Sequence, residues 1–107
     1  MENAPLPLNL LAGNQHLNKD APGWTLLGPP SHQMNRRFVH EVVFEREFQS
    51  APVVHVGLTG FDIENHDFAR LKIHAAGIRP DGFAVVAETW FDTQIHGLSI
   101  SWLAIGA

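Results

Sequence analysis

The amino-acid sequence predicts an antiparallel β-sandwich. Apolar and polar residues alternate with a period of two along most of the chain, and this period places successive side chains on opposite faces of a strand. Seven prolines and nine glycines in 107 residues supply frequent turns, which favour β structure over helix. No stretch shows a convincing 3.6-residue apolar period with helix caps. Together these observations favour two packed antiparallel sheets.

Five segments carry the alternation clearly, and turn residues separate them. We predict strands over residues 37–48, 53–61, 69–78, 83–91 and 98–105. Two weaker candidates precede them, one running from Leu8 to near Asn14 and one at 24–28, so residues 1–22 are only loosely assigned. The sequence Arg-Pro-Asp-Gly at 79–82 predicts a type I turn, with Pro second and Gly last. The whole chain, 1–107, is interpreted as one domain.

Two of these strands are apolar on both faces. In residues 98–105 one face carries Leu98, Ile100, Trp102 and Ala104, and the other also includes apolar side chains; residues 53–58 show the same feature. One face of each strand fills the sandwich core. The second apolar face predicts further burial, most simply against another subunit.

Composition excludes several classes of protein. The net charge is −4, from 7 basic and 11 acidic residues, which disfavours nucleic-acid binding because phosphate recognition needs clustered Lys and Arg. The absence of cysteine excludes disulfides, thiol catalysis and Cys-based zinc sites. No apolar run approaches the roughly 20 residues of a membrane helix, so we predict no membrane insertion. The N-terminus has no basic n-region, so we expect no signal peptide and a cytoplasmic or non-classically exported protein.

Catalysis and metal binding receive little support from the sequence. There is no Gly-x-Ser-x-Gly nucleophile motif and no His-Glu-x-x-His zinc motif among the seven histidines. The segment Asp-Ile-Glu-Asn-His-Asp at 62–67 offers oxygen ligands but lacks the register and Gly of an EF-hand. We interpret it as a solvated loop, and we predict no catalytic residues, no metal site and no cofactor.

The remaining chemical signal is a cluster of aromatic and polar residues at 90–96. It contains Trp90, Phe91, Asp92 and His96. A sugar ring has an apolar face of C–H groups and a rim of hydroxyls, so its site combines aromatic side chains with charged or amide hydrogen-bonding groups. Arg70 follows a polar loop and could donate to paired hydroxyls. By period alone, the favoured interpretation is partial burial for Trp90 and a solvated surface charge for Arg70.

Two long stretches of the chain resemble a known family. The stretches PVVHVGLTGFDIENHDFARLKI and GFAVVAETWFDTQIHGLSISWLAIGA are similar to the H-type lectin domain, the family of snail agglutinins and of the discoidin C-terminal domain. The resemblance covers about residues 36–106, and weakly the Gly-Trp at 23–24. It implies a six-stranded antiparallel β-sandwich that forms a homotrimer or hexamer. It also implies binding of galactose or N-acetylgalactosamine at sites between protomers, without catalysis.

The resemblance also assigns site residues. The arginine of the family falls on Arg70, and the tryptophan of its Thr-Trp motif falls on Trp90 rather than Trp102. The histidine that follows this tryptophan is Phe91 here, and the aromatic tyrosine before the last strand is His96. We therefore predict that Trp90 and His96 pack on or beside the sugar, that Phe91 lines the pocket, and that Arg70 donates to hydroxyls.

One acidic residue of the family pattern is missing. In the family it lies in the loop before the long strand, which is Pro-Pro-Ser-His-Gln-Met-Asn at 29–35 here and contains no Asp. Ser31, Gln33 or Asn35 could substitute for it, and Asp92 could supply a carboxylate from the other side of the pocket. The alternative is a structural or assembly module, as in an appendage or phage-like particle, that keeps the fold without binding sugar. The missing carboxylate favours this alternative, whereas the presence of Arg70 and Trp90 opposes it.

Overall fold

The computed structural model describes residues 7–28, 35–64 and 68–107. Within these ranges every regular element is a β-strand. The six strands are β1 Asn9–Asn18, β2 Arg36–Val43, β3 Val53–Glu64, β4 Lys72–Arg79, β5 Gly82–Thr89 and β6 Gln94–Gly106. The described residues include no helix that is long and apolar enough to cross a membrane.

The strands form two three-stranded sheets. The first has the order β1-β6-β3 and the second the order β2-β5-β4, with every pairing antiparallel. The central strands, β6 and β5, hydrogen-bond on both sides, while the other four strands are sheet edges. The predicted six-stranded antiparallel β-sandwich is confirmed.

The core lies between the sheets because alternate residues of facing strands point inward. In β6 the buried residues include Leu98, Ile100, Trp102 and Ala104, as the alternation predicts. The core has two clusters along the strands. One contains Val42, Phe44, Phe48, Phe83, Val85, Ile100, Trp102 and Ala104, and the other contains Leu17, Leu26, Phe38, Ala87, Ile95 and Leu98. The second cluster lies toward the end of the sandwich where β5 stops and β6 starts.

The predicted strand at 24–28 is wrong. These residues are irregular in structure, although Leu26 is fully buried and its carbonyl accepts a hydrogen bond of 3.0 Å from the Ile95 N–H. The segment is too short to pair further, because Pro22 and Gly23 precede it and Pro29 follows it in the sequence. Proline supplies no N–H and cannot extend a ladder of strand hydrogen bonds.

The predicted strand at 37–48 ends early. Phe44 and Phe48 keep the apolar period, but they lie beyond the end of β2 and pack edge to face with ring centroids 5.3 Å apart. Their N–H groups donate to the carbonyls of the 79–82 turn, at Asp81 and Pro80 respectively, each at 2.9 Å. The turn itself lies where it was predicted, since Arg79 pairs with Gly82.

Other strand ends differ from the predictions. β1 extends to Asn18. β3 extends to Glu64, so the loop predicted at 62–67 is wrong for residues 62–64, which pair with β6, and residues 65–67 lie outside the described residues. β6 begins at Gln94 because that residue pairs with Glu64. β4 begins only at Lys72 and β5 ends at Thr89. These shifts leave residues 90–93 as a tight connection between the two sheets, directly above the second core cluster.

The outer face of the first sheet is partly apolar. Val53 and Ile105 are paired across β3 and β6, and their side chains are 75% and 37% exposed. They belong to the two strands for which the sequence predicts burial on both faces. Burial of this face against another subunit stays a prediction.

Candidate functional site

Two buried threonines fix the connection at 90–93 to the segment that precedes β4. The Thr89 hydroxyl donates to the carbonyl of Arg70. The Arg70 N–H donates to the Thr93 hydroxyl oxygen at 3.2 Å, and that hydroxyl in turn donates to the carbonyl of Phe68 at 3.3 Å. Both threonine side chains are fully buried. The main chain of Arg70 is therefore held from both ends of the connection.

The Arg70 guanidinium lies over two aromatic rings. Its central carbon is 4.8 Å from the ring centroid of Phe91 and 5.8 Å from that of Phe68. Both distances fall within the range of cation–π attraction. The rings are largely open to solvent, with Phe91 43% and Phe68 73% exposed. Single exposed aromatic residues are ordinary, but two of them beside one guanidinium form an apolar patch of the kind that indicates a binding surface.

A carboxylate completes this patch. Asp92 places Oδ1 3.4 Å from Nη1 of Arg70, and the same nitrogen donates to the Phe68 carbonyl at 3.0 Å. Both charged side chains are largely buried, at 17% and 22% exposure. The sequence proposed that Asp92 could supply a carboxylate to the pocket, and the structure brings it together with Arg70 and Phe91.

The other predicted site residues are placed less closely. His96 lies at an irregularity in the pairing of β3 with β6, where the register steps from Gly97 to Ile95 and leaves His96 as the extra residue. Its Nε2 atom is 3.4 Å from Oε1 of Glu64, an ion pair when the imidazole is protonated. Trp90, directly after β5, is half-buried. Ser31 and Gln33 lie outside the described residues.

Sequence reasoning missed several residues of the site. Phe68 follows the polar loop and carries no periodic signal, so nothing local indicated that its ring would lie against Arg70. Thr89 and Thr93 bracket the connection, and a threonine at each end of a short turn was the available signal. Arg36 was also missed, although its side chain donates to the carbonyls of Phe91 and Thr93.

Three of the histidines lie on three different strands and do not converge. His40 is on the core-facing side of β2, His55 on the outer face of the first sheet, and His74 on the outer face of the second. Across residues 7–28, 35–64 and 68–107, no three His, Asp or Glu side chains come together as a metal site.

The fold and this patch define a small β-sandwich module with an aromatic and charged surface site at one end. The sequence model of the H-type lectin domain matches residues 39–105. The chain therefore belongs to the H-type lectin domain family, as the resemblance of its motifs predicted.

The chain is also similar to individual proteins and solved structures. A protein of Fuscovulum blasticum described as "ATP synthase subunits region ORF 7" is 37% identical over 84 residues, which are 78% of this chain and 68% of that protein. Wild-type discoidin II from Dictyostelium discoideum superimposes with a TM-score of 0.77 at 23% identity, covering 92% of this chain. The match spans only 36% of the discoidin II chain. The tailspike protein of Pseudomonas phage LKA1 shares the fold with a TM-score of 0.58 at 15% identity, over 92% of this chain and 15% of that chain.

Proposed function

We propose that this chain is a non-catalytic lectin domain that binds glycans ending in galactose or N-acetylgalactosamine. The observation that carries the proposal is the Arg70 guanidinium within cation–π distance of the exposed rings of Phe68 and Phe91, with the Asp92 carboxylate beside it. A sugar needs an apolar surface for its C–H face and a donor with an acceptor for its hydroxyls. This patch offers all three within one end of the sandwich.

Each residue of the patch has its own role in the proposed sugar recognition. Arg70 donates to sugar hydroxyls while Asp92 accepts from one, in place of the acidic residue that the family has in its loop. Trp90 and Phe91 cover the apolar face, and His96 lies beside it. A hydrogen bond to a charged group in a desolvated site contributes about 1.5–3 kcal/mol, so one acceptor changes affinity strongly.

The site also includes a second protomer in this proposal. The chain forms a homotrimer or hexamer with sites between protomers, and Ser31 and Gln33 are proposed as further polar partners of the sugar. The exposed apolar pair Val53 and Ile105 supports burial of the first sheet against another copy. A single shallow site binds weakly, but several sites presented together gain affinity for clustered glycans through avidity.

A second candidate is an assembly module that keeps the fold without binding sugar. The Arg70–Asp92 contact favours it, because an arginine already facing a carboxylate has part of its hydrogen-bonding capacity engaged. The absence of Asp from residues 29–35 also favours it. A glycan array separates the two functions. Signal confined to galactose and N-acetylgalactosamine termini supports the lectin, and a flat array at high protein concentration supports the assembly module.

The site itself is tested by substitution. Arg70→Ala and Trp90→Ala are each expected to abolish binding to immobilised galactosides, because they remove the hydroxyl donor and an aromatic wall, while the oligomer mass stays unchanged. Arg79→Ala is the matched control, since Arg79 is an exposed arginine paired with Asp81 at the opposite end of the sandwich. If both site variants bind like the parent, the site is wrongly placed.

A further inference from the structure

Arg36 is a buried arginine that lies behind the proposed site. It is the first residue of β2 and is 9% exposed. Its Nη1 donates to the carbonyl of Leu26 at 3.0 Å, and its Nη2 donates to the carbonyls of Phe91 and Thr93 at 2.8 and 2.7 Å. One side chain thus joins the 24–28 segment to both sides of the 90–93 connection.

Burial of this guanidinium is costly. Desolvation lowers the pKa of Arg36 below its ordinary value, and its Nε atom has no hydrogen-bond partner among the described residues. A buried charge is tolerated only where hydrogen bonds offset the lost hydration. Gly28 leaves room for the Arg36 side chain, because a Cβ added to this glycine would lie 2.8 Å from Cδ of Arg36.

Two of the hydrogen bonds of Arg36 hold a connection whose backbone is strained at Phe91. Phe91 has a φ of +58°, in the left-handed region that bulky residues rarely adopt. This conformation directs the Phe91 carbonyl inward to Arg36 and directs the Phe91 ring outward over Arg70. The inner hydrogen bond and the outer cation–π contact are therefore two consequences of the same backbone conformation.

We infer that Arg36 is a positioning residue of the ligand site, which holds the 90–93 connection so that the Phe91 ring stays over the Arg70 guanidinium. The inference rests on the proposed function for its binding readout only. Arg36 does not contact the ligand. It acts through the carbonyls of Leu26, Phe91 and Thr93, to which one planar guanidinium makes three hydrogen bonds. A Lys ammonium does not reproduce this planar arrangement.

The test compares Arg36→Lys with Arg37→Met, its exposed neighbour on the same strand, and with Val42→Ala, a core change in the distant cluster. Binding to N-acetylgalactosamine is measured by titration, together with oligomer mass, thermal unfolding and the NMR resonance of the Arg70 Nε–H. Arg36→Lys is expected to weaken binding at least tenfold and to shift that resonance, because the ring current of Phe91 moves. Val42→Ala is expected to lower thermal stability without either effect, and Arg37→Met to change nothing.

Gly28→Ala provides a second route if Arg36→Lys does not fold. Its methyl group displaces the Arg36 side chain, although residue 36 is still an arginine. This variant is expected to weaken binding several-fold with the same shift of the Arg70 resonance. An unshifted resonance in the folded variants overturns the positioning role, whether or not the parent binds sugar. A parent that binds no galactoside, with the resonance shifted as expected, overturns the proposed function and leaves the positioning role standing.

Discussion

Trp90 and Trp102 are the same residue type in opposite settings. Trp102 is buried, with its ring 5.5 Å from those of both Phe44 and Phe83, whereas Trp90 is half-buried beside the proposed site. Trp102→Ala is expected to lower the free energy of unfolding by about 3–5 kcal/mol, the range for aromatic deletions in a core. Trp90→Ala should lower it far less. Urea unfolding of both variants measures the difference, and equal losses would show that Trp90 is also a core residue.

At the residue scale, the sequence predicted which side chains could bind a ligand better than it predicted which side chains contact each other. Phe91 and Asp92 stood out because a hairpin connection does not need aromatic and charged side chains together. Phe68 did not, because an exposed Phe after a polar loop has no periodic partner, and its meeting with Arg70 depends on how the loop returns to β4. The burial of Arg36 was not predicted either, because an arginine at the start of a strand ordinarily lies in solvent.

At the scale of the elements, the period of two predicted which faces of the strands are buried better than it predicted where strands end. Phe44 and Phe48 continue the apolar alternation while the backbone leaves β2, because burial depends on side-chain position and a strand depends on hydrogen bonds. β1 was under-predicted because its Asn, Gly, Gln and His residues have weak strand preference. Its pairing with β6 along its full length supplies the stabilisation that local sequence does not.

Two glycines test the packing of the strands that flank β6. A Cβ at Gly13 would lie 2.6 Å from the Trp102 indole, but a Cβ at Gly57 would meet Ser101 Oγ at 3.6 Å. Gly13→Ala is therefore expected to destabilise the protein by about 1–3 kcal/mol through overpacking. Gly57→Ala should be neutral or stabilising by up to about 1 kcal/mol, because Gly is unfavourable inside a strand. Denaturant unfolding compares them, and a harmless Gly13→Ala would mean that Trp102 has room to move.

At the scale of the whole molecule, the partly apolar outer face of the first sheet supports the proposed assembly. Val53→Glu places a charge on this face, and burial of an unpaired charge is strongly unfavourable. We expect this variant to reduce the mass in solution to that of the monomer, as measured by light scattering. Val43→Glu, at a comparably exposed position on the second sheet, should keep the parent mass. An unchanged mass for Val53→Glu would place the interface elsewhere.

We propose that Arg70 and the 90–93 connection form a glycan site at one end of the sandwich. Titration of N-acetylgalactosamine or galactose into the isotopically labelled parent, followed by amide NMR, locates binding without altering any residue. The expected result is a set of shifts concentrated at 68–70 and 89–93, with the turn at 79–82 unaffected. Shifts centred on 79–82, or no shifts at saturating sugar, would contradict the claim.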